Sequence, residues 1–317
     1  MTSPVRQYGR RAPKRAPALS LSRLLTGKIP AHPAAADYLA RLAAWQMLGN
    51  DVAGDCVAVT WANVRRLVSS IAGAENYPSQ DEVWAVYRTQ NPDFDPNGDP
   101  NVNGPGSAAD GGMDIQTLLE YLVKVGGPDG KKALAFAKVD PSSPDEVKAA
   151  ISIFGFVWTG LVVQDANMQD FDDGKPWDYH ASSPDDGGHS VITGGYGAPG
   201  GGPLGGDERF ITWAQETSFT DKYWSRKVEE AWVVIWPEHL AHPAFQTGVD
   251  LAQLAADYTA LTGKPFPAVV PPVPAPVPTP PPAPTPSPAP GLDPRLVQAA
   301  QLMGEWAHDN HVTTKGA

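Results

Sequence analysis

Residues 265 to 290, PFPAVVPPVPAPVPTPPPAPTPSPAP, hold 14 prolines in 26 positions, and this block limits what the chain can fold into. Each proline removes a backbone donor and holds φ near about −65°, so the stretch suits neither a helix interior nor a central strand and favours an extended polyproline spacer. A globular body has to lie before it. With the charge distribution, the block divides the chain into a basic flexible N-terminal arm (1–36), a body (37–263), a proline-rich linker (264–290) and a short C-terminal helix (291–317). In that last segment Leu296, Ala299, Ala300, Met303 and Trp306 fall near helical spacing behind Pro294. One short helix is marginal alone in water, so it either docks on a protein partner or stays partly disordered.

The arm is defined by charge. No Asp or Glu occurs before Asp37, whereas Arg6, Arg10, Arg11, Lys14, Arg15, Arg23 and Lys28 all do. The whole chain nevertheless carries a net charge of −11, which argues against nucleic acid as a partner because phosphate backbones repel an acidic surface. No signal-peptide core and no bilayer-spanning run is seen, which leaves the location open between cytoplasm and virion and predicts no membrane partner. The one cysteine, Cys56, excludes an intramolecular disulfide.

Within the body the first half reads helical and the second half reads as strands, an α+β order with two subdomains meeting at a cleft. CVAVTWANVRRLVSSI places Val57, Trp61, Val64, Leu67, Val68 and Ile71 on one helix face, SQDEVWAVYRTQ opens with a capping-type start, and MDIQTLLEYLVKVG ends at Gly126 and Gly127. SPDEVKAAISIFG predicts a helix capped by Ser143 and started by Pro144. FGFVWTGLVV, HSVITGGYG, RFITWAQ and EEAWVVIW are β-branched and aromatic runs set between Gly, Pro and Asp clusters, which predicts strands.

Cys56 stands where the first of these helices begins, after the turn-forming Ala-Gly-Asp. Unpaired N–H groups in a first helical turn favour a thiolate, so the position suits a nucleophile, although a lone cysteine also serves as a small buried hydrophobe. A base is available in GGHSVITGGYG, where His189 follows two glycines at the mouth of a strand.

From Asn50 to Trp236 the order of features resembles papain-like cysteine peptidases, in the divergent form of actinobacterial and phage proteins that carry LGND, a short spacer and GDC. The resemblance covers roughly two-thirds of the chain and lies in the order of several weak motifs. It implies a papain-like two-subdomain fold, with a helical half carrying the nucleophile and an antiparallel β half carrying the histidine. It also implies Cys56 as nucleophile, His189 as base, and Asn50, six residues before the cysteine, as the oxyanion amide where glutamine is usual. Gly111 and Gly112 in DGGMDIQTLLEYLVKVGG match the paired glycine that binds substrate backbone. Trp213 in TWA stands where the family's SWG tryptophan shields the catalytic pair. The asparagine that steers the histidine is missing, and Ile211 falls in its place. Gln215, Glu216, Asp186 or a backbone carbonyl is left to steer His189.

The function implied is cleavage of peptide or amide bonds through a Cys–His thiolate–imidazolium pair, without cofactor or metal, on a peptide or peptidoglycan-peptide substrate in a phage setting. The alternative is a catalytically degenerate papain-like module serving as a structural or adhesive part of a virion. Other motifs read as structure. Asp93, Asp95, Asn97 and Asp99 have the rhythm of a calcium loop but lack the closing glutamate, which predicts an Asx-rich turn; His239 and His242 in HLAH read as surface loop; and Trp158, Trp177, Trp224, Trp232 and Trp236 read as core.

Overall fold

The computed structural model describes residues 6–13, 19–26, 29–197 and 208–266. The C-terminal helix and all but the first three residues of the linker lie outside them. The helices are α1 (Leu21–Leu24), α2 (Cys56–Ile71), α3 (Gln80–Tyr87), α4 (Ile115–Lys124), α5 (Pro144–Phe154), α6 (Asp165–Asp172), α7 (Asp221–Lys227), α8 (Pro243–Gly248) and α9 (Leu251–Thr262). The strands are β1 (Ala36–Asp37), β2 (Ala135–Val139), β3 (Val157–Gln164), β4 (Asp185–Tyr196), β5 (Glu208–Thr212), β6 (Gln215–Phe219) and β7 (Val228–Ile235). They form one antiparallel sheet in the order β2-β7-β3-β4-β5-β6, with β1 pairing β4. No described helix is long and apolar enough to cross a membrane.

Local signals account for the element ends. Ser79 and Glu82 close a reciprocal capping box at the start of α3. Ser143 caps α5, Pro144 opens it, and Gly155 ends it at φ 85°, a left-handed turn that glycine adopts without steric cost. At the chain's Asx-rich loop, Asp95 and Asp99 carboxylates accept the N–H groups of Asn97 and Asn101, two residues on, as in Asx turns.

Three regions depart from the sequence reading. Helix α2 is buried all round and not on one face, because Arg65 and Arg66 are buried along with its apolar residues. Their charges are answered: Arg65 pairs with Asp129 at 2.7 Å and Glu238 at 2.8 Å and lies 4.3 Å from the Trp236 ring centre, while Arg66 pairs with Glu75 at 2.8 Å. His239 is buried and not on a surface loop; its Nδ1 accepts the Trp236 N–H at 3.0 Å and its ring stacks on Phe245.

The third departure is the expected flexible arm, whose described residues are docked on the body. Ser20 bridges Lys138 of β2, Leu21 and Leu24 are fully buried, and Leu25 bridges Val249. Residues 6–11 enter the space between α2 and β4, described below. Trp158, Trp177, Trp224, Trp232 and Trp236 are all buried, in keeping with their reading as core.

Candidate active site

Cys56 is the first residue of α2, and the loop before it is tightly wound. Leu48 and Gly49 have positive φ of 52° and 99°, and a side chain at Gly49 would run into Trp84. This turn buries Asn50, whose Nδ2 donates to the carbonyls of Gln7 at 3.2 Å and Ala53 at 3.4 Å. Cys56 is 1% exposed. Burial, then the Asp55 charge, push its pKa up to about 12, against the pull of hydrogen bonds from the Ser190 and Gly9 backbone and of the Arg10 charge. A helix N-terminus stabilises a thiolate by at most about 2 kcal/mol, whereas full burial moves a pKa by up to about 3–5 units, so burial prevails. The thiol is neutral here.

His189 lies on β4 opposite Leu161 of β3. Its Nε2 shares a 2.7 Å hydrogen bond with Thr212 Oγ1, and its ring stacks on Trp213 with centres 4.7 Å apart and planes 20° from parallel. Nδ1 is buried without a hydrogen-bond partner. Burial first, then the positive charge of Arg10, push the imidazole pKa down to about 3, so it too is neutral. Trp213 and Ala214 form the two-residue turn between β5 and β6, both with positive φ (42° and 63°). This turn type prefers Asn-Gly, so the hairpin holds its tryptophan against the imidazole in a conformation that side chains rarely adopt.

The structure thus places Thr212 on the ring, where the sequence had offered other groups. Gln215 and Glu216 are exposed on β6, and Asp186 is exposed at the start of β4 and interacts with Tyr8. The signal was present: Thr212 is the first residue of TWA, next to the isoleucine that occupies the asparagine's expected place. A hydroxyl two-carbon side chain reaches the ring from there.

The two walls are joined by buried hydroxyls. Trp158 Nε1 donates to Ser190 Oγ at 2.8 Å, Ser190 Oγ donates to Thr60 Oγ1 at 3.0 Å, and Thr60 Oγ1 donates to the Cys56 carbonyl at 2.8 Å. Because Ser190 follows His189, this chain ties the histidine strand to the first turn of α2.

Residues 6–11 lie along the same space as a strand-like segment with one isolated bridge, at Arg10. Gln7 exchanges hydrogen bonds with Asn50, donating to its carbonyl at 3.1 Å. The Gly9 and Arg10 N–H groups both donate to the Gly188 carbonyl, at 3.2 and 2.9 Å. On the other side Met113 N–H donates to the Gly9 carbonyl at 2.6 Å, and Arg11 N–H donates to the Met113 carbonyl at 2.8 Å, making a parallel bridge. Arg11 also donates to the Gly111 and Gly112 carbonyls at 2.8 and 2.6 Å. Gly111 and Gly112 thus lie beside residues 9–11, and the backbone pairing falls on Met113. Any Cβ on Gly9 would stand 1.6 Å from the Gly54 carbonyl oxygen, and one on Gly112 would stand 2.2 Å from that of Gly9. Tyr8 packs edge-on against His189 and Trp213.

No protein-family model matches the chain, and no curated protein does. Among solved structures it is similar to xylellain, a cysteine protease from Xylella fastidiosa, with a TM-score of 0.51 and 16% identity over 74% of this chain and 98% of that one. At that identity the likeness is one of fold: the chain shares with that cysteine protease an arrangement of helices and antiparallel sheet.

The two buried groups, which no hydrogen bond joins, set a pH dependence. His189 is held neutral with its pKa depressed from 6.5 to about 3, so the unfolded chain binds more protons between those values and stability falls as pH drops through that window. Cys56 is raised from 9.0 to about 12, so the unfolded chain binds fewer protons above 9 and stability falls as pH rises through that range. Urea midpoints measured from pH 4 to 10 are expected to decline on both sides of a neutral plateau, with the acid decline shallower in His189→Gln and the alkaline decline shallower in Cys56→Ser.

Proposed function

We propose that the protein is a papain-like cysteine peptidase that hydrolyses peptide bonds, with Cys56 as nucleophile, His189 as base and Asn50 as an oxyanion donor, and that residues 6–11 hold it closed. The supporting observation is the extended strand 7–11, which is paired through its backbone to Met113 on one side and Gly188 on the other, with the Asn50 amide on a carbonyl. A groove that takes its own backbone in this way can take a peptide's. The helical wall carrying Cys56 and the sheet carrying His189 then act as the two subdomains of the family.

With the strand displaced, water reaches both groups and the burial that keeps them neutral is relieved. His189 Nδ1 takes the thiol proton while Nε2–H donates to Thr212 Oγ1, which keeps the ring in the useful tautomer. The sulfur adds to the peptide carbonyl, and the oxyanion receives the Cys56 N–H and Asn50 Nδ2. Collapse expels the amine, which takes its proton from His189. Water, deprotonated by the same imidazole, then releases the acyl group and restores the thiol. The phage-type branch, the peptidoglycan-peptide substrate and the virion setting rest on the sequence resemblance alone.

A second reading, a catalytically silent module of a virion, is favoured by the burial of Cys56 and by the isoleucine in the asparagine's place. The two part on one experiment. Gly9→Leu cannot be seated against Gly54, so the full chain carrying it is expected to hydrolyse a fluorogenic casein at least ~10-fold faster than wild type, and adding Cys56→Ser is expected to remove that activity. Gly9→Leu protein whose hydrolysis is no greater than that of the Cys56→Ser control supports the silent module.

Thr212 is the proposed positioning residue for His189. In the Gly9→Leu background, Thr212→Val is expected to lower kcat by about 10-fold or more with KM little changed, since it removes the ring's orienting partner without touching substrate. Thr212→Ser is expected to stay near the parent. Equal losses in both variants would deny the hydroxyl that role.

A further inference from the structure

The side chain of Arg10 enters a recess that the mechanism above does not use. Its guanidinium is 1% exposed; Nη1 donates to Glu230 Oε1 at 2.7 Å and Nη2 donates to Glu229. Glu230 is itself buried, with a side chain 2% exposed, and its other oxygen accepts Trp232 Nε1 at 2.7 Å. Gly160 makes the room: a Cβ there would stand 2.8 Å from Arg10 Cδ and 2.6 Å from Glu230 Cγ. The recess is thus built from a buried carboxylate fixed by an indole, a second carboxylate at 41% exposure toward the mouth, and a missing side chain on the facing strand.

The cation in this recess comes from the strand that fills the cleft and not from the walls. Asp114 adds to the negative field at Glu230, and Arg10 is the cation that offsets it among the described residues. A buried carboxylate that loses its partner is left desolvated and unpaired, so the walls favour a cation in this recess whether or not it belongs to residue 10. The Arg10 N–H donates to Gly188 and its neighbour Gly9 lies against the Cys56 sulfur, which puts the recess one residue from the reactive atom.

We infer that the Glu229–Glu230 recess is a specificity pocket for a basic side chain, so that the protein binds and cleaves peptides carrying arginine or lysine one residue from the position held at Cys56. Residues 9–11 occupy the groove by presenting that feature. The inference rests on the peptidase reading for cleavage, but the pocket's preference for a cation is separable from it, because binding is read without turnover. Glu229 and Glu230 are binding residues here and take no part in bond breaking.

The experiment uses Cys56 alkylation by iodoacetamide as a reporter of cleft occupancy in the full chain. Arg10→Lys is expected to alkylate about as slowly as wild type and Arg10→Leu at least ~10-fold faster. In Arg10→Leu, the peptide Tyr-Gly-Arg-Arg is expected to restore protection, whereas Tyr-Gly-norleucine-Arg is not. Glu229→Gln, at the half-exposed carboxylate, and Glu230→Gln, at the buried one, should each reduce the difference between the two peptides. Equal alkylation of Arg10→Leu and Arg10→Lys, or equal protection by the two peptides, overturns the pocket.

A peptide library offered to the Gly9→Leu protein supplies the second arm. Cuts are expected one residue from Arg or Lys, with kcat/KM at least ~10-fold above the leucine counterparts. Arginine-selective protection without any cleavage upholds the pocket and removes the peptidase reading. Cleavage indifferent to the basic residue upholds the peptidase and removes the pocket.

Discussion

The hydrogen-bond chain from Trp158 through Ser190 and Thr60 to the Cys56 carbonyl is the interaction on which the rest of the site depends. Each hydroxyl in it both donates and accepts, so the chain has one direction and no unpaired member. It fixes the start of α2 against β4 at the residue after His189. Removing one hydroxyl leaves its neighbours unpaired in the core, at a cost of about 1–3 kcal/mol, so the chain supports both the packing and the register of the two walls. Everything proposed for Cys56 and His189 requires these walls to face each other across a peptide-sized gap.

Residues 6–11 lie in that gap, and burial dominates the electrostatics of the groups beside it. Both titratable groups are pushed toward neutrality by burial, the thiol upward and the imidazole downward. An ion pair between them needs water or a polar transition state to replace what the strand excludes. The strand is itself held by charge: Arg10 by Glu229 and Glu230, Arg6 by Asp172 at 2.6 Å and by the face of Phe171. The occluded site and the acidic recess are thus two aspects of one contact between a basic segment and an acidic body.

Much of the body was legible because its signals are local. The capping box at Ser79, the Ser143–Pro144 start of α5, the left-handed Gly155 and the β-branched runs of β3, β4, β5 and β7 each depend on neighbours within a few residues. What escaped the sequence was long-range. Seven basic groups before Asp37 predicted a solvated arm, yet Arg10 finds its carboxylates about 220 positions further on, and no local pattern pairs them. Thr212 escaped because the sequence resemblance points to the residue before it, whereas the side chain on the imidazole is that of Thr212. His239 escaped because short aromatic clusters are completed by chain segments that sequence spacing does not bring together.

The central claim is that Cys56 and His189 form a reactive pair once the N-terminal strand is displaced. The thiolate's ultraviolet absorbance, followed as a function of pH in the Gly9→Leu protein with and without His189→Ala, tests it most directly. A Cys56 transition several units below 12 that moves upward when His189 is replaced is the expected result. A thiol that still titrates near 12 with the strand displaced, and is indifferent to His189, would contradict it.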